Sequence, residues 1–479
     1  MSHHPIVSLV TVTAFLLLLV GAGVAFMVAI RLRFGQVTLG KRPEVRWDEI
    51  PARIKNVFVY VIAQKRLPRN GYTYSGVLHM FIFGAFMVLS VDTINFVTDG
   101  VLRTLDFIMG REPGVPFHLP FSGINELGGG YQALADTFRF LCIVGLGMAF
   151  VNRVIIKPER LPLTRDALYT LFFILGLMVF EVTQGGFNIA YTGEEAPQMW
   201  FSSLFAAAVS GLPDEVLIAG YRASWWLHLM TLLAFSNYVP FSKHSHVFAA
   251  PLNIFFMSLD PKGAIRKMDL EFENDEDYPE YFGARNLEDL SWKQLFDGLS
   301  CTECGRCTDN CPASRSDKPL KPMDIIVDLK HHMEDRYKDR KAEVNLEEDP
   351  KLLLGGGVID PDVLWSCTTC RACMEVCPVG NEHIPDIIDM RRYLTMTLGE
   401  VGHGAQNALK KMDRRGNPWG MSKKDRAKWA ADMDEVKLWD AEKPSEYLYW
   451  VGCAGAYDDR ARKVTRSVSR LMQKAGVDF

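Results

Sequence analysis

The most chemically specific residues in this sequence are eight of its ten cysteines, which form two runs of identical spacing. The runs read CTECGRCTDNCP from residue 301 and CTTCRACMEVCP from residue 367. In the pattern C-x2-C-x2-C-x3-C-P, three closely spaced thiolates bind three irons of one cubane, and the fourth cysteine binds the other cluster. The spacing therefore predicts two [4Fe–4S] clusters: cluster 1 on Cys301, Cys304, Cys307 and Cys377, and cluster 2 on Cys367, Cys370, Cys373 and Cys311.

Two other uses of these cysteines fit the pattern less well. Structural zinc sites normally use paired C-x2-C knuckles and lack a third cysteine in register. Disulfides are rare in the cytoplasm, where the charge pattern of the chain places these runs. Because iron–sulfur clusters pass single electrons, the two runs require a second redox carrier.

Histidines in the apolar half of the chain are the candidates for that carrier. Imidazoles that face inward between membrane helices can bind the iron of b-type haem from its two sides. The alternative is that such histidines form hydrogen bonds between helices or lie among the lipid headgroups. The candidate axial ligands are His79, His228, His244 and His246.

The depth of each histidine in its segment decides the predicted pairs. His79 lies near the cytoplasmic end of one segment and His228 near the opposite end of another, too far apart to share one iron. His246 follows His228 by 18 residues, about five helical turns, so the two share a face of a straight helix unless Pro240 bends it. We therefore expect His79 to pair with His246 or His244 in a haem b on the cytoplasmic side.

A second haem on His228 has no evident partner ligand. Leu89 occupies the position on the second apolar segment where another histidine would be expected. His118 in an outer loop and Met87 are the remaining candidates. The histidines thus predict one haem and leave a second open.

Five apolar segments are long enough to cross a bilayer, which needs about 20 helical residues. They cover residues 5–31, 73–98, 131–152, 166–188 and 222–245, and a shorter segment at 200–212 is expected at the interface. Basic residues crowd the loops at 31–72 and 153–165, whereas 99–130 hold two and 189–221 hold none. The positive-inside rule then predicts a multi-pass inner-membrane protein with its N-terminus outside and everything after about residue 245 in the cytoplasm.

Composition and spacing predict a mainly α protein. The chain is 48% hydrophobic, and its net charge of −4 is too small and too mixed to indicate nucleic-acid binding. The spacer between the cysteine runs contains KPMDIIVDLKHHMEDRYKDRK, whose periodicity indicates a helix and a helical ferredoxin module. We expect a five-helix transmembrane cytochrome b domain at 1–250, an interfacial and acidic linker at 251–290, a double [4Fe–4S] domain at 291–400, and a further linker and domain at 401–479.

Several segments resemble known families. YSGVLHMFIFGAFMVL and WWLHLMTLLAFSNYVPFSKHSH resemble the cytochrome b part of the γ subunit of respiratory nitrate reductase, although that family has two histidines on its second helix and this chain has only His79. SCTECGRCTDNCPA and CRACMEVCPVGNEHIPDIIDMRRYL resemble iron–sulfur proteins related to heterodisulfide reductase. The fused arrangement is similar to membrane-bound electron-transfer-flavoprotein:menaquinone oxidoreductases.

The last segment, YLYWVGCAGAYDDRARKVTRSVSRLMQKAGVDF, resembles the opening of a cysteine-rich CCG domain. The resemblance implies a strand followed by a helix, as the start of an incomplete α/β domain. Cys453 is either a core cysteine or, by the resemblance, a ligand of a third metal centre whose other ligands are absent from this sequence.

Together the motifs and the resemblance imply a membrane-bound oxidoreductase. Electrons would pass from a cytoplasmic donor, by resemblance reduced electron-transferring flavoprotein, through two [4Fe–4S] clusters and haem b to menaquinone or another quinone. One alternative is a heterodisulfide-reductase-like enzyme driven by quinol, and another is a non-catalytic wiring subunit of a larger respiratory complex. Membrane lipid, quinone and a cytoplasmic redox protein are the expected partners.

Overall fold

The structure is a computed structural model. It describes all residues except 1–3, 113–115, 123–125, 162, 269, 273, 275–277, 340–353 and 434–435. The described residues form helices and turns, with two isolated β-bridges and no strand. The mainly α prediction is therefore confirmed. The chain divides into two compact units, Met1–Tyr393 and Leu394–Phe479.

The first unit begins with eight helices. They are α1 (Leu9–Gly35), α2 (Ile50–Val57), α3 (Thr73–Ile108), α4 (Glu126–Val151), α5 (Arg165–Thr192), α6 (Trp200–Val209), α7 (Asp214–Tyr238) and α8 (His246–Phe255). Ser8 starts α1 by accepting a hydrogen bond from Thr11 N, and Thr164 starts α5 by accepting one from Ala167 N. Such hydroxyl caps satisfy backbone N–H groups that a helix start leaves unpaired.

Four of these helices, α1, α3, α4 and α5, are long and apolar enough to cross a membrane. The fifth predicted span forms α7, which has 25 residues but carries Arg222, His228 and Asn237 and is not among those four. It packs against α5, with Phe173 and Phe235 stacked at 5.3 Å. It also contacts α1, where Asn237 Nδ2 donates to the Ala22 carbonyl at 3.1 Å. A membrane domain is thus supported, and the five-span count remains a prediction.

The helix that carries His228 does not continue to His246, so the exception that Pro240 raised in the sequence applies. Helix α7 ends at Tyr238 and is followed by short 3-10 turns that include Pro240. Proline has no N–H to continue the helical hydrogen bonds and its ring clashes with the preceding turn. His246 instead begins α8, so it does not share a straight helix face with His228.

The iron–sulfur half of the first unit consists of short helices around the cysteine runs. They are α9 (Trp292–Ser300), α10 (Arg306–Asp309), α11 (Pro312–Arg315), α12 (Pro322–Lys338), α13 (Pro361–Trp365), α14 (Ala372–Val376) and α15 (His383–Arg392). The predicted spacer helix is confirmed as α12, which buries Ile325, Ile326, Leu329 and Met333. Its apolar face packs against α9, and Met323 near its start packs against Cys307 and Cys373, so the spacer helix contacts both cysteine runs.

The second unit contains α16 (His403–Arg415), α17 (Gly452–Tyr457) and α18 (Asp459–Lys474). Trp429, Ala456 and Tyr457 form its buried cluster, with the half-buried Cys453 beside them. The predicted strand YLYWVG is wrong for this structure, because a strand requires a neighbouring strand for its hydrogen bonds. The segment makes one such bond, from Tyr447 N to the Asp478 carbonyl.

Candidate iron–sulfur and haem centres

The four cysteines predicted for cluster 1 line a single cavity. Cys301, Cys304 and Cys307 come from the first run, and Cys377 is the last cysteine of the second run. Cys301, Cys307 and Cys377 are buried, whereas Cys304 is half-buried. The crossed ligand set that the spacing predicts is thus brought together at one point of the fold.

The four cysteines predicted for cluster 2 are also neighbours. Burial raises the pKa of the Cys373 thiol, and the nearby Cys367, Cys311 and Cys370 thiolates raise it further. Cys370 is exposed and Cys367 half-buried. Cluster 2 would therefore lie nearer the surface than cluster 1.

Both cysteine loops have the same backbone form. Glu303 and Thr369, each two residues after the first cysteine of its run, have positive φ angles of 53° and 54°. Gly305 and Arg371, each four residues after that cysteine, have φ angles of 70° and 63°. L-residues rarely adopt this left-handed conformation. The matching positions show that the sequence repeat is also a structural repeat.

Backbone N–H groups point at one cysteine sulfur of each predicted cluster. Asn381 N donates to Cys377 Sγ at 3.3 Å, and Thr369 N donates to Cys367 Sγ at 3.3 Å. Hydrogen bonds to cluster sulfurs are one of the levers by which a protein sets the reduction potential. Burial raises the pKa of the Cys301 thiol to about 12 and that of Cys377 to about 11. Iron binding must therefore displace protons from these thiols.

The cavity lined by the cluster 1 cysteines suits a cubane better than a single ion. Within the described ranges, no three His, Cys, Asp or Glu side chains converge closely enough to hold one metal ion. A cubane spreads its four thiolates around four irons, whereas zinc draws four ligands onto one centre. The wider spacing of these cysteines around a cavity suits the first arrangement.

Cluster 1 packs directly against the predicted cytoplasmic loops of the membrane helices. Arg66 Nη1 donates to the Cys377 carbonyl at 3.0 Å, and Arg160 Nη1 donates to the Cys304 carbonyl at 2.6 Å. Arg306 donates to the Arg66 carbonyl at 2.9 Å. Arg66 and Arg160 come from the two basic loops at 31–72 and 153–165, so those loops bind the iron–sulfur domain.

His79 and His246 face each other close to this contact. Their ring centroids are 6.4 Å apart, with an angle of 46° between the rings. An iron that binds one ring nitrogen of each imidazole at about 2 Å holds the two centroids about 6 Å apart. His246 Nδ1 lies 3.0 Å from the Lys243 carbonyl, which fixes Nδ1 as the donor and leaves Nε2 for a metal. The residues therefore fit an axial pair.

His244 lies beside this pair. Its ring is 5.0 Å from that of His246 and 5.6 Å from Phe235. The sequence left His244 and His246 as alternatives, and both are near His79. His246 is favoured as the ligand because its Nε2 is free to bind a metal and its ring lies opposite that of His79.

His228 lies apart from the other three histidines. It is buried, its ring is 5.0 Å from Phe96, and its Nδ1 is 3.3 Å from the Leu177 carbonyl. Neither of the partners suggested by the sequence is buried as His228 is: His118 is exposed and Met87 is 47% exposed. The structure gives His228 no axial partner among these candidates.

Two residues near the sites were missed or undervalued from sequence. Asp92 forms an ion pair with Arg139 at 2.6 Å inside the helix bundle. The sequence feature that could have indicated this role is an acidic residue within an otherwise apolar segment. His383 is 2% exposed and lines the cluster 1 cavity, with a buried Nδ1 that has no hydrogen-bond partner among the described residues. Its signal was its position shortly after Cys377.

Comparisons with known proteins agree with the two cysteine runs. The 4Fe-4S dicluster domain family matches residues 297–381. The chain is 32% identical to a probable iron-sulfur-binding oxidoreductase, FadF, of Bacillus subtilis over 97% of this chain and 68% of that protein. It is 33% identical to EtfAB:quinone oxidoreductase of Syntrophomonas wolfei over 91% of this chain and 62% of that protein.

A more distant relative is one component of the dihydromethanophenazine:CoB–CoM heterodisulfide reductase of Methanosarcina barkeri. The identity is 29%, over 40% of this chain and 46% of that component. No solved structure matches the chain. The dicluster domain confirms the predicted [4Fe–4S] clusters, and the relatives confirm the resemblance to iron–sulfur oxidoreductases. The chain belongs to the FadF-like family of iron–sulfur-binding oxidoreductases.

Proposed function

We propose that this protein carries electrons from reduced electron-transferring flavoprotein through cluster 2 and cluster 1 to a haem b held by His79 and His246, and on to menaquinone or another membrane quinone. The two [4Fe–4S] clusters and the haem would supply the one-electron chemistry. The name of the Syntrophomonas relative, EtfAB:quinone oxidoreductase, supports both the donor and the acceptor.

One observation carries this proposal: the elements that bear His79 and His246 are the same elements that pack on cluster 1. Helix α8 begins at His246, and its Ala250 contacts Cys377. Asn253 on α8 donates to the Val379 carbonyl at 3.0 Å. Helix α3, which carries His79, begins where Ser75 accepts a hydrogen bond from Arg306 at 3.4 Å. The same two helices, α3 and α8, would therefore hold the haem ligands and contact the residues around cluster 1.

The exposure of the cysteines supports the order of the carriers. The buried cysteines of cluster 1 lie against the membrane helices, whereas Cys370 of cluster 2 is exposed to a donor. Since the basic loops bind the iron–sulfur domain, the positive-inside rule supports a cytoplasmic side for both. The N-terminus would then lie outside.

The heterodisulfide reductase relative favours a second candidate function. In that case electrons would flow from quinol through the same carriers to a cytoplasmic disulfide. The chain spans 68% of the Bacillus relative and 62% of the Syntrophomonas relative. The reaction of the complete protein with its donor or acceptor is therefore a proposal. A wiring subunit that only connects a partner to quinone is the third arrangement.

The test is anaerobic optical spectroscopy of the purified protein, following the haem b α-band as reduced electron-transferring flavoprotein is added. We expect rapid reduction that a menaquinone analogue reverses. His79→Ala should abolish the band, whereas the matched control His331→Ala, an exposed histidine on α12, should leave it unchanged. A band that responds to quinol and not to the flavoprotein would favour the second function, and a wild-type protein without haem would overturn the haem assignment.

A further inference from the structure

A buried group of charges lies inside the membrane helices and is not used by the clusters or the haem. Arg139, near the middle of α4, has a side chain that is 6% exposed. Its guanidinium lies 2.6 Å from Asp92 of α3, 2.9 Å from Glu181 of α5 and 3.4 Å from Asp136 of α4. Three carboxyl groups thus surround one cation at a depth where ionisable groups are costly and usually functional.

Asp136 has a separate structural task. Its Oδ2 accepts hydrogen bonds from Phe201 N at 2.5 Å and Ser202 N at 3.2 Å, and its Oδ1 accepts one from Ser202 Oγ at 2.6 Å. These contacts place Asp136 at the start of α6, where backbone N–H groups stabilise a carboxylate. Both oxygens of Asp136 therefore have hydrogen-bond donors other than Arg139.

Asp92 and Glu181 are left to share Arg139. Both side chains are 15% exposed, and Asp92 and Glu181 come from different helices that meet at the guanidinium. The Tyr131 hydroxyl lies within hydrogen-bonding reach of Asp92 and also 3.0 Å from the Val88 carbonyl, but it is neutral and does not balance a second charge. One cation therefore faces two carboxyl groups.

Among the described residues, neither Asp92 nor Glu181 forms an ion pair with any side chain other than Arg139. Cys142 is buried near Glu181, and His228 is buried with its Nδ1 near the Leu177 carbonyl. A second buried anion without a partner is strongly unfavourable in an apolar environment. In addition, Arg139 Nε is buried and has no hydrogen-bond partner among the described residues, so the group is not a closed ion-pair network.

We propose that Asp92 and Glu181 share one proton around Arg139 and form an intramembrane proton-holding site. The presence of the proton follows from burial and charge balance. Its use rests on the proposed function: a quinone that accepts two electrons also takes up two protons, and a carboxyl group within the bundle can deliver one and then be reprotonated.

The test is infrared spectroscopy of the resting, oxidised protein in a detergent without ester groups. We expect a C=O stretching band of a protonated carboxylic acid, because a carboxylate lacks this band. Asp92→Asn and Glu181→Gln should each remove or shift it. The matched control is Asp99→Asn, on the same helix α3, because Asp99 has its own cation in Arg103 at 2.8 Å; this change should leave the band in place.

Labelling with ¹³C-aspartate or ¹³C-glutamate identifies the residue type that carries the proton. Because Asp386 in the iron–sulfur half is also fully buried, the wild-type protein and both variants are labelled, and a shifted band that is lost with Asp92→Asn or Glu181→Gln supports a proton at this site. The proposal is overturned if the band is absent, if neither label shifts it, or if both single variants retain it unchanged. Because the measurement uses no quinone or donor, its result is independent of the electron-transfer assay.

Discussion

At the scale of single residues, the crossed cysteine sets are the feature with the sharpest consequence. Cys377, the last cysteine of the second run, lines a cavity with Cys301, Cys304 and Cys307, and Cys311, the last of the first run, lies near Cys367 and Cys373. A single change at Cys377 therefore acts on the cluster of the first run and not on that of its own run. The effect of a change at Cys377 therefore distinguishes the crossed arrangement from one in which each run binds its own cluster with all four cysteines.

We expect Cys377→Ser to lower the iron content from about 8 to about 4 atoms per chain, because only one cubane loses a ligand. The remaining electron paramagnetic resonance signal should be that of cluster 2. Cys453→Ser is the matched control, since Cys453 lies in the second unit near Trp429 and Tyr457. A Cys377→Ser protein that keeps the signal of cluster 1 and loses that of cluster 2 would contradict the crossed assignment.

At the scale of elements, the cysteine loop of the first run is fitted tightly to a loop between membrane helices. Gly305 has a φ of 70°, and a Cβ added there would lie 2.7 Å from the Arg160 carbonyl oxygen. The corresponding residue in the second loop is Arg371, whose side chain reaches only the Ala264 and Pro261 carbonyls at 3.3 and 3.5 Å. Glycine in the first loop thus has a packing reason as well as a conformational one.

We expect Gly305→Ala to weaken the contact between these loops and to lower the temperature at which the visible absorbance of the clusters is lost. The left-handed backbone alone costs about 1–2 kcal/mol with a Cβ, and the collision with Arg160 adds to it. Gly356→Ala is the matched control, because Gly356 has a φ of 96° with no atom within 4 Å of the added Cβ. Equal losses in the two variants would show that the close contact contributes nothing.

At the scale of the molecule, the first unit joins membrane helices and iron–sulfur domain through arginines. Arg160 donates to the Cys304 carbonyl, lies 3.3 Å from Asp309, and stacks over Tyr72 at 5.0 Å. Arg306 also stacks over the Tyr72 ring, at 4.5 Å. The basic loops thus bind the iron–sulfur domain, in addition to being the feature from which the membrane orientation is predicted.

We expect Arg160→Ala to slow haem reduction by the flavoprotein about tenfold or more while the iron content stays unchanged, because the cluster keeps its ligands but loses its fixed position against α3. Stopped-flow spectroscopy measures the rate. Lys55→Ala, a change of an exposed basic residue in the same group of loops, should leave the rate at the wild-type value. An unchanged rate in Arg160→Ala would show that this docking contact does not control transfer.

Features that depend on local spacing could be predicted from the sequence alone. The cysteine runs predicted two clusters because their spacing is a direct requirement of cubane ligation, and the dicluster family confirms them. The spacer helix followed from the periodicity of Ile325, Leu329 and Met333. The membrane segments followed from long apolar runs, and α1, α3, α4 and α5 meet those requirements.

Features that depend on the direction of the chain and on residues distant in sequence could be seen only in the tertiary structure. The break after Tyr238 moved His246 off the helix of His228 and placed it opposite His79. Spacing along a helix predicts a shared face only while the helix continues, and Pro240 ends it. Likewise, Asp92 and Glu181 meet at Arg139 because three helices pack together. Sequence periodicity describes one helix at a time, so the meeting of side chains from separate helices is visible only in the tertiary structure.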